Sequence, residues 1–197
     1  LTLASSGMLR GISLMITDGK PITKFGKEFM QLGIGRIGEF QVPVLFALAL
    51  ILLSFPLMFH VKWGNYVRAL GGSESALKRS GVRTGFYRIS VHMLLGITAA
   101  VTAVIITARL NSAEPNAGMN MELDAITAVI MGGTPIRGGN ASIAGTVLAV
   151  LILGSIRNGL TLLSVSSDFQ QWITGFLLLA SVLISEIRVW NIKALTK

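Results

Sequence analysis

Residues 42–61 read VPVLFALALILLSFPLMFHV, a stretch without Asp, Glu, Lys or Arg. A helix of this length spans about 30 Å, which is the thickness of the hydrocarbon core of a bilayer. The stretch therefore predicts a membrane-spanning helix. The composition of the whole chain agrees, because 52% of the residues are hydrophobic and only 13% are charged, whereas soluble domains carry about 25% charged residues.

Similar apolar segments recur at 89–108, 141–160 and 170–187, and we interpret the opening segment, 1–17, as the remainder of a further span. Residues 123–135 are apolar but short, which predicts a half-length or broken helix. The predicted fold class is therefore all-α, a polytopic transmembrane helical bundle of about five to six membrane segments. The chain starts LTLASSGML, without an initiator Met or a signal-peptide pattern, so we expect an internal start.

The basic residues predict the orientation of these spans. The loop at 62–88 carries one acid, Glu74, against Lys62, Arg68, Lys78, Arg79, Arg83 and Arg88. By the positive-inside rule this loop is cytoplasmic. Counting the spans onward along the chain places residues 110–120 outside. The basic tail, with Arg188, Lys193 and Lys197, then lies inside, provided that 123–135 crosses the membrane. The net charge of +8 thus reflects topology, and we expect no nucleic-acid partner.

Small residues form a stripe on one face of two predicted spans. In 89–108 they are Gly96, Ala99 or Ala100, Ala103 and Thr107, and in 141–160 they are Ala141, Gly145 and Ala149. Such stripes allow helix backbones to approach closely in a membrane. They predict helix packing and say nothing about function.

The cytoplasmic loop contains the pattern of a short capped helix. Gly71–Gly72 is expected to break the chain, Ser73 is a favourable N-cap and Glu74 suits the first turn. Lys78–Arg79 suits the last turn, and Gly81 suits the position after the C-cap. A helix this short is marginal in water. It either docks on another element or is an ordinary solvated connector, and the pattern alone leaves both interpretations open.

Four motifs of the chain are RGISLMITDGKPI at 10–22, YVRALGGSESALKRSGV at 66–82, MELDAITAVIMGGTPIRGG at 121–139 and NGLTLLSVSSDFQQ at 158–171. Together they resemble the membrane permease subunits of bacterial ATP-binding-cassette (ABC) importers for ribose, xylose and similar sugars. The second resembles the start of the family's cytoplasmic coupling helix, placed here at about 73–80. The resemblance implies an ATPase-coupling loop of Tyr66, Ala69, Leu70, Gly71, Gly72, Ser73, Glu74, Ala76, Lys78, Arg79 and Gly81.

The resemblance further implies that residues 1–197 are one transmembrane permease domain, N-terminally incomplete, in a bacterial inner membrane. Its implied partners are a second permease copy or homologue, ABC ATPase subunits inside and a sugar-binding protein outside. ATP and Mg²⁺ would bind to the ATPase, so this chain would carry no cofactor and would be no enzyme. An ABC permease for branched-chain amino acids or nucleosides, and a secondary transporter or channel, remain as alternatives.

The stretch GGTPIRGG, residues 132–139, lacks the terminal Lys and hydroxyl of a phosphate-binding loop. We predict a membrane hinge on the cytoplasmic side, in which Pro135 stops the preceding helix and Arg137 lies at the lipid boundary. The hinge residues are Gly132, Gly133, Pro135, Gly138 and Gly139.

Charged residues near the apolar segments allow two interpretations. In the first, Glu122, Asp124, Arg157 and Asn158 line a solute path or its outer mouth, or the acids pair with Arg157 across the bundle. In the second, which their positions favour, the charged residues only cap and snorkel near helix ends. No partner at metal-ligand spacing accompanies His60 or His92. No serine has the context of a nucleophile elbow, and we expect no catalytic site.

Overall fold

The computed structural model describes residues 2–136 and 138–195, and describes side chains within 4–136 and 138–185. The described elements are, in chain order, α1 (Thr2–Thr17), β1 (Ile22–Thr23), α2 (Lys27–Ile34), β2 (Arg36–Ile37), β3 (Phe40–Gln41), α3 (Val42–Phe59), α4 (Lys62–Gly72), α5 (Glu74–Arg79), α6 (Thr84–Leu110), β4 (Ser112–Ala113), α7 (Met121–Met131), α8 (Ile143–Leu162) and α9 (Ser167–Leu195). Arg137 and the side chains of the basic tail lie outside the described residues.

The predicted all-α polytopic membrane fold is confirmed. Within the described residues, four helices are long and apolar enough to cross a membrane, namely Val42–Phe59, Thr84–Leu110, Ile143–Leu162 and Ser167–Ser185. They coincide with the four predicted spans. The helix at the start of the chain has 16 residues and α7 has 11, so both are shorter than a full span.

The spanning helices leave their apolar surfaces open. In three of the four, none of the most apolar 18-residue window is buried within the chain, and in α8 only 6% is. The described core is correspondingly small and consists of Leu77, Ala108, Ala128, Ile130 and Ala149. Surfaces of this kind need lipid or further helices as their surroundings.

Contacts divide the chain into two compact units, of which the first comprises Leu1–Leu53 and Ile89–Met119. In this unit β1 pairs antiparallel with β4, and β2 pairs antiparallel with β3. The pairing of β1 with β4 places the segment after α1 and the segment after α6 at one end of the unit.

The second unit comprises Ser54–Arg88 and Asn120–Lys197. Here α7 lies along α8 and α9. Its C-terminal end meets the start of α8 at Gly145, and its first turn meets Arg157 near the end of α8. The half-length helix, about 16 Å long, is therefore confirmed, and it runs antiparallel to α8.

Two helix ends lie at other residues than the sequence predicted. Helix α7 ends at Met131, where the amide of Gly133 bonds to the carbonyl of Ile130 and that of Thr134 to the carbonyl of Val129. This is a Schellman motif, and the φ of +90° at Gly133 allows it. The prediction that Pro135 stops the helix is therefore wrong, because the helix has already ended. Similarly, Gly71–Gly72 belongs to the last turn of α4, and the break falls at Ser73.

Candidate functional site

The predicted capped helix in the loop between α3 and α6 is present as α5. The Ser73 hydroxyl accepts a hydrogen bond from the amide of Ala76 at 3.3 Å, which satisfies one donor of the first turn. At the other end, the amide of Gly81 bonds to the Lys78 carbonyl and that of Val82 to the Leu77 carbonyl. These two bonds form a Schellman motif, so local sequence signals define both ends of the helix.

Side chains join α5 to the start of α6. Glu74 pairs with Lys78 on its own helix, at 3.0 Å between Nζ and Oε1, and with Arg88 on α6. The hydroxyl of Thr84, which is buried, also donates to Glu74 at 3.4 Å. The hydrogen bond from Lys78, with the charges of Arg88 and Lys78, holds the pKa of Glu74 below its ordinary value. Sequence reasoning identified Glu74 but missed Thr84 and Arg88, since nothing in the pattern showed that α6 begins so early.

We expect Lys78→Gln to raise the pKa of Glu74 more than Arg88→Gln does, because the hydrogen bond from Lys78 is the largest cause of the depression. The measurement is a carboxyl-carbon NMR titration of the protein in nanodiscs. A depressed pKa means that the carboxylate stabilises the α5–α6 connection fully above about pH 4.3 and loses this effect as the pH falls through the lowered pKa. An equal midpoint in all three proteins would contradict the assignment.

Aromatic contacts hold α4 in place beside the loop. The ring of Tyr66 lies 5.1 Å from that of Tyr87, and the guanidinium of Arg68 lies 5.1 Å from the centre of the Phe59 ring. Of the predicted coupling residues, Tyr66, Leu70 and Glu74 are half-buried, while the exposed ones are Ala69, Gly71, Gly72, Ser73, Ala76, Lys78, Arg79 and Gly81. The loop thus presents a basic surface supported from below by Leu77, which is buried.

The predicted hinge lies directly against the predicted coupling loop. A β-carbon added at Gly71 would lie 2.6 Å from the amide nitrogen of Gly139, and one added at Gly138 would lie 2.9 Å from the α-carbon of Gly71. Both distances are shorter than real side chains allow, so the two backbones touch. The sequence indicated two separate glycine pairs, and the structure brings them together at one end of the second unit.

The other half of the hinge packs α7 on α8. A β-carbon added at Gly145 would lie 2.0 Å from the carbonyl oxygen of Gly132. Ser142 caps α8 by accepting from the amide of Gly145 at 3.2 Å, and its own amide donates to the hydroxyl of Thr134 at 3.2 Å. The hinge is therefore a closed and hydrogen-bonded turn between two helices.

An ion pair lies at the far end of the same hairpin. Both terminal nitrogens of Arg157 donate to the two carboxylate oxygens of Asp124, each at 2.8 Å, and the hydroxyl of Thr174 lies 3.4 Å from the same guanidinium. Of the two interpretations of these charges, the structure supports pairing across the helices. Glu122, in the first turn of α7, and Asn158, next to Arg157, are both exposed.

The pair forms one wall of a cavity of about 300 Å³ between α7, α8 and α9. The polar lining groups are Asp124, Arg157, Gln170 and Thr174, and the remaining lining is mainly apolar. Gln170 donates to the carbonyl of Val165 at 3.0 Å, so much of the polar capacity is already used within the chain. In the part of the chain that the structure describes, no cluster of three or more His, Cys, Asp or Glu residues could hold a metal ion.

Comparison with known proteins identifies the family. The chain matches the model of the family described as "Branched-chain amino acid transport system / permease component" over residues 5–182. It is 38% identical over 185 residues to the ribose import permease protein of Bacillus subtilis (strain 168), which covers 93% of this chain and 58% of that protein. No solved structure matches the chain.

Two relatives from Escherichia coli (strain K12) extend this result. The ribose import permease protein is 39% identical over 187 residues, covering 93% of this chain and 58% of that protein. The D-allose transport system permease protein is 34% identical over 187 residues, covering 95% of this chain and 57% of that protein. This chain thus spans less than two thirds of the length of these relatives. Together with its four spanning helices, the family match shows that the chain is a multi-pass membrane protein and belongs to the family of branched-chain amino acid transport system permease components.

Proposed function

We propose that this chain is part of the transmembrane subunit of an ABC importer that carries a monosaccharide or a similar small polar solute across a bacterial inner membrane. The observation that carries the proposal is its similarity, over more than nine tenths of its length, to relatives named as ribose and D-allose permeases. Transport would proceed by alternating access, with the energy supplied by ATP hydrolysis on partner subunits.

The geometry of the α4–α5 loop supports the ATPase partner. Helix α5 is short, capped at both ends and tied to α6 by Glu74. Its exposed face carries Lys78 and Arg79, which suits docking to a protein surface with acidic groups. We propose that such a helix moves as a unit with the first turns of α6, to which Glu74 connects it, because alternating access requires elements that switch between two states.

The cavity between α7, α8 and α9 supports the proposal that these three helices lie beside the solute path. Its polar groups lie at one end, where Arg157 and Asp124 already satisfy each other. We propose that this pair shapes the path near its outer mouth, with ATP and Mg²⁺ held entirely by the ATPase. A second permease copy and an external solute-binding protein would complete the importer. A branched-chain amino acid is the second candidate cargo, because the description of the matching family names it.

Reconstitution tests the function. The full-length permease is combined with its ATPase and binding protein in proteoliposomes, and ATP hydrolysis and uptake are measured with D-ribose, D-allose and leucine. We expect one of the sugars to stimulate hydrolysis and to accumulate, and leucine to do neither. Stimulation by leucine alone would make the amino acid the cargo, and uptake without any ATPase would make the protein a secondary transporter.

The same system tests the role of α5. We expect Glu74→Lys to abolish uptake while the variant still inserts into the membrane, because it replaces the acid that holds Lys78, Arg88 and Thr84 with a like charge. The matched control is Glu74→Gln, which keeps the hydrogen bond from Thr84 and retains most of the uptake. Unchanged uptake in Glu74→Lys would remove α5 from the coupling mechanism.

A further inference from the structure

Helix α5 has two separate connections to the helices of the second unit. One runs through Glu74 to the first turns of α6. The other runs through the last turn of α4, where Gly71, two residues before the N-cap of α5, touches the backbone of Gly138 and Gly139. This second connection leads to the α7–α8 hairpin, which carries the ion pair and one wall of the cavity at its other end.

The hairpin is held by one hydrogen bond to a side chain and by contacts between backbone atoms. The turn is closed by the hydrogen bond from the Ser142 amide to Thr134. At its base the backbones of Gly132 and Gly145 are in contact. Contacts between backbone atoms have no rotamers that could absorb movement, and closely packed atoms transmit strain.

We propose that the backbone contact between Gly71 and Gly138–Gly139 is the joint through which movement of α5 sets the position of α7. The joint positions Asp124 and its partner Arg157 at the cavity about 16 Å away along α7. Gly71, Gly138 and Gly139 thus act on transport as positioning residues, through α7. This inference rests on the proposed function only for its transport readout, since the contact itself can be tested in the permease alone.

Adjacent glycines of α4 supply a matched pair of variants. A β-carbon at Gly71 would overlap the backbone of Gly139, whereas one at Gly72 would lie 4.0 Å from the nearest atom, the α-carbon of Gly139. Both residues are in the last turn of the same helix, so alanine changes helix propensity alike at both. Only Gly71→Ala separates the two backbones.

The hinge supplies a second pair, which keeps the test valid if Gly71→Ala fails to fold. Gly133 and Gly138 both have positive φ, +90° and +79°, a region that Asn tolerates better than most residues. A β-carbon at Gly138 would meet Gly71, whereas one at Gly133 would meet nothing within 4 Å. Gly138→Asn therefore breaks the joint, and Gly133→Asn imposes similar backbone strain without touching it.

The first readout needs no partner. Residues 1–197 contain no cysteine, so spin labels can be introduced at Arg79→Cys, which is exposed at the end of α5, and at Met131→Cys at the end of α7. In nanodiscs, we expect Gly71→Ala and Gly138→Asn to shift or broaden the distance distribution between the labels, and Gly72→Ala and Gly133→Asn to leave it unchanged. Identical distributions in all four variants would overturn the proposed joint, whatever the protein transports.

The second readout uses the reconstituted importer, with D-ribose and D-allose as the probes. We expect both joint variants to assemble with the ATPase and to hydrolyse ATP, but to transport at least ~5-fold less solute per ATP, the lower end of typical coupling between distant sites. Gly133→Asn, the control outside the coupling loop, should stay near the wild-type ratio. Loss of ATPase assembly in the joint variants, or an unchanged transport ratio, would overturn the inference. Absence of transport in the wild type would instead refute the proposed function and leave the spin-label result standing.

Discussion

Gly145→Ala is expected to disrupt the packing of α7 on α8 and to prevent recovery of a folded protein. The added methyl group would lie 2.0 Å from the Gly132 carbonyl oxygen and 2.7 Å from the Ser142 hydroxyl, and neither backbone can move without opening the hinge. Overpacking a well-packed site costs about 1–3 kcal/mol and sometimes more, and a clash with backbone belongs at or above the upper end. The measurement is the unfolding midpoint and the monodisperse yield of the purified protein in detergent.

Gly154 provides the control on the same helix. A β-carbon there would meet nothing within 4 Å, so Gly154→Ala should be neutral or should stabilise by up to about 1 kcal/mol through helix propensity. Gly132→Ala tests the contact from its other side, because its methyl group would lie 2.4 Å from the amide nitrogen of Thr146. Equal midpoints for the variants at Gly145 and Gly154 would show that α7 and α8 do not pack as described.

This contrast shows what the small-residue stripes predicted and what they did not. The stripe of Ala141, Gly145 and Ala149 does mark a packed face, since Gly145 touches Gly132 and Ala149 is buried. In the similar stripe on α6, Gly96 makes no such contact within the chain, because a β-carbon there would meet nothing within 4 Å. Spacing alone indicates that a close approach is possible, whereas the partner that makes it is set by tertiary structure.

The spans and the half-length helix were predictable because they depend on hydropathy and length within a single segment. The caps of α5 were predictable for the same reason, since Ser73 and Gly81 act within a few residues. The short strands β1 to β4 were not predictable, because strands of two residues are too short to show an alternating hydrophobic pattern. Nor was the contact of Gly71 with Gly139, which joins residues distant in sequence through backbone atoms alone.

The ion-pair partner shows the same limit. Two acids, Glu122 and Asp124, lie in the first turn of α7, where either is favoured by the helix dipole. Only the rotation of α7 against α8 decides that Asp124 meets Arg157, and this rotation follows from the contact at Gly145. The sequence favoured helix capping and snorkelling over pairing with Arg157, whereas in the structure Asp124 binds this guanidinium 33 residues away.

Removing either member of this pair is expected to destabilise the protein by about 2 kcal/mol, while removing both restores most of the loss. Arg157 lies about 8 Å inside the end of α8, where an unpaired charge costs somewhat less than the ~2.5–3.5 kcal/mol of a helix centre. The cost is further reduced because the side chains of Arg157 and Asp124 remain 51% and 28% exposed. The measurement is a double-mutant cycle of Asp124→Leu and Arg157→Leu, followed by unfolding in mixed micelles.

Two further variants separate pairing from other effects. Asn158→Leu, next to Arg157 and exposed, removes a polar group without breaking the pair and should change stability by less than ~0.5 kcal/mol. The exchange of charges, Asp124→Arg with Arg157→Asp, should recover only part of the loss. It restores attraction between the two side chains but places a cation in the first turn of α7, where the helix dipole disfavours it by about 0.3–1 kcal/mol. Additive losses in the cycle would show that Asp124 stabilises α7 through the dipole alone and that the pair contributes nothing of its own.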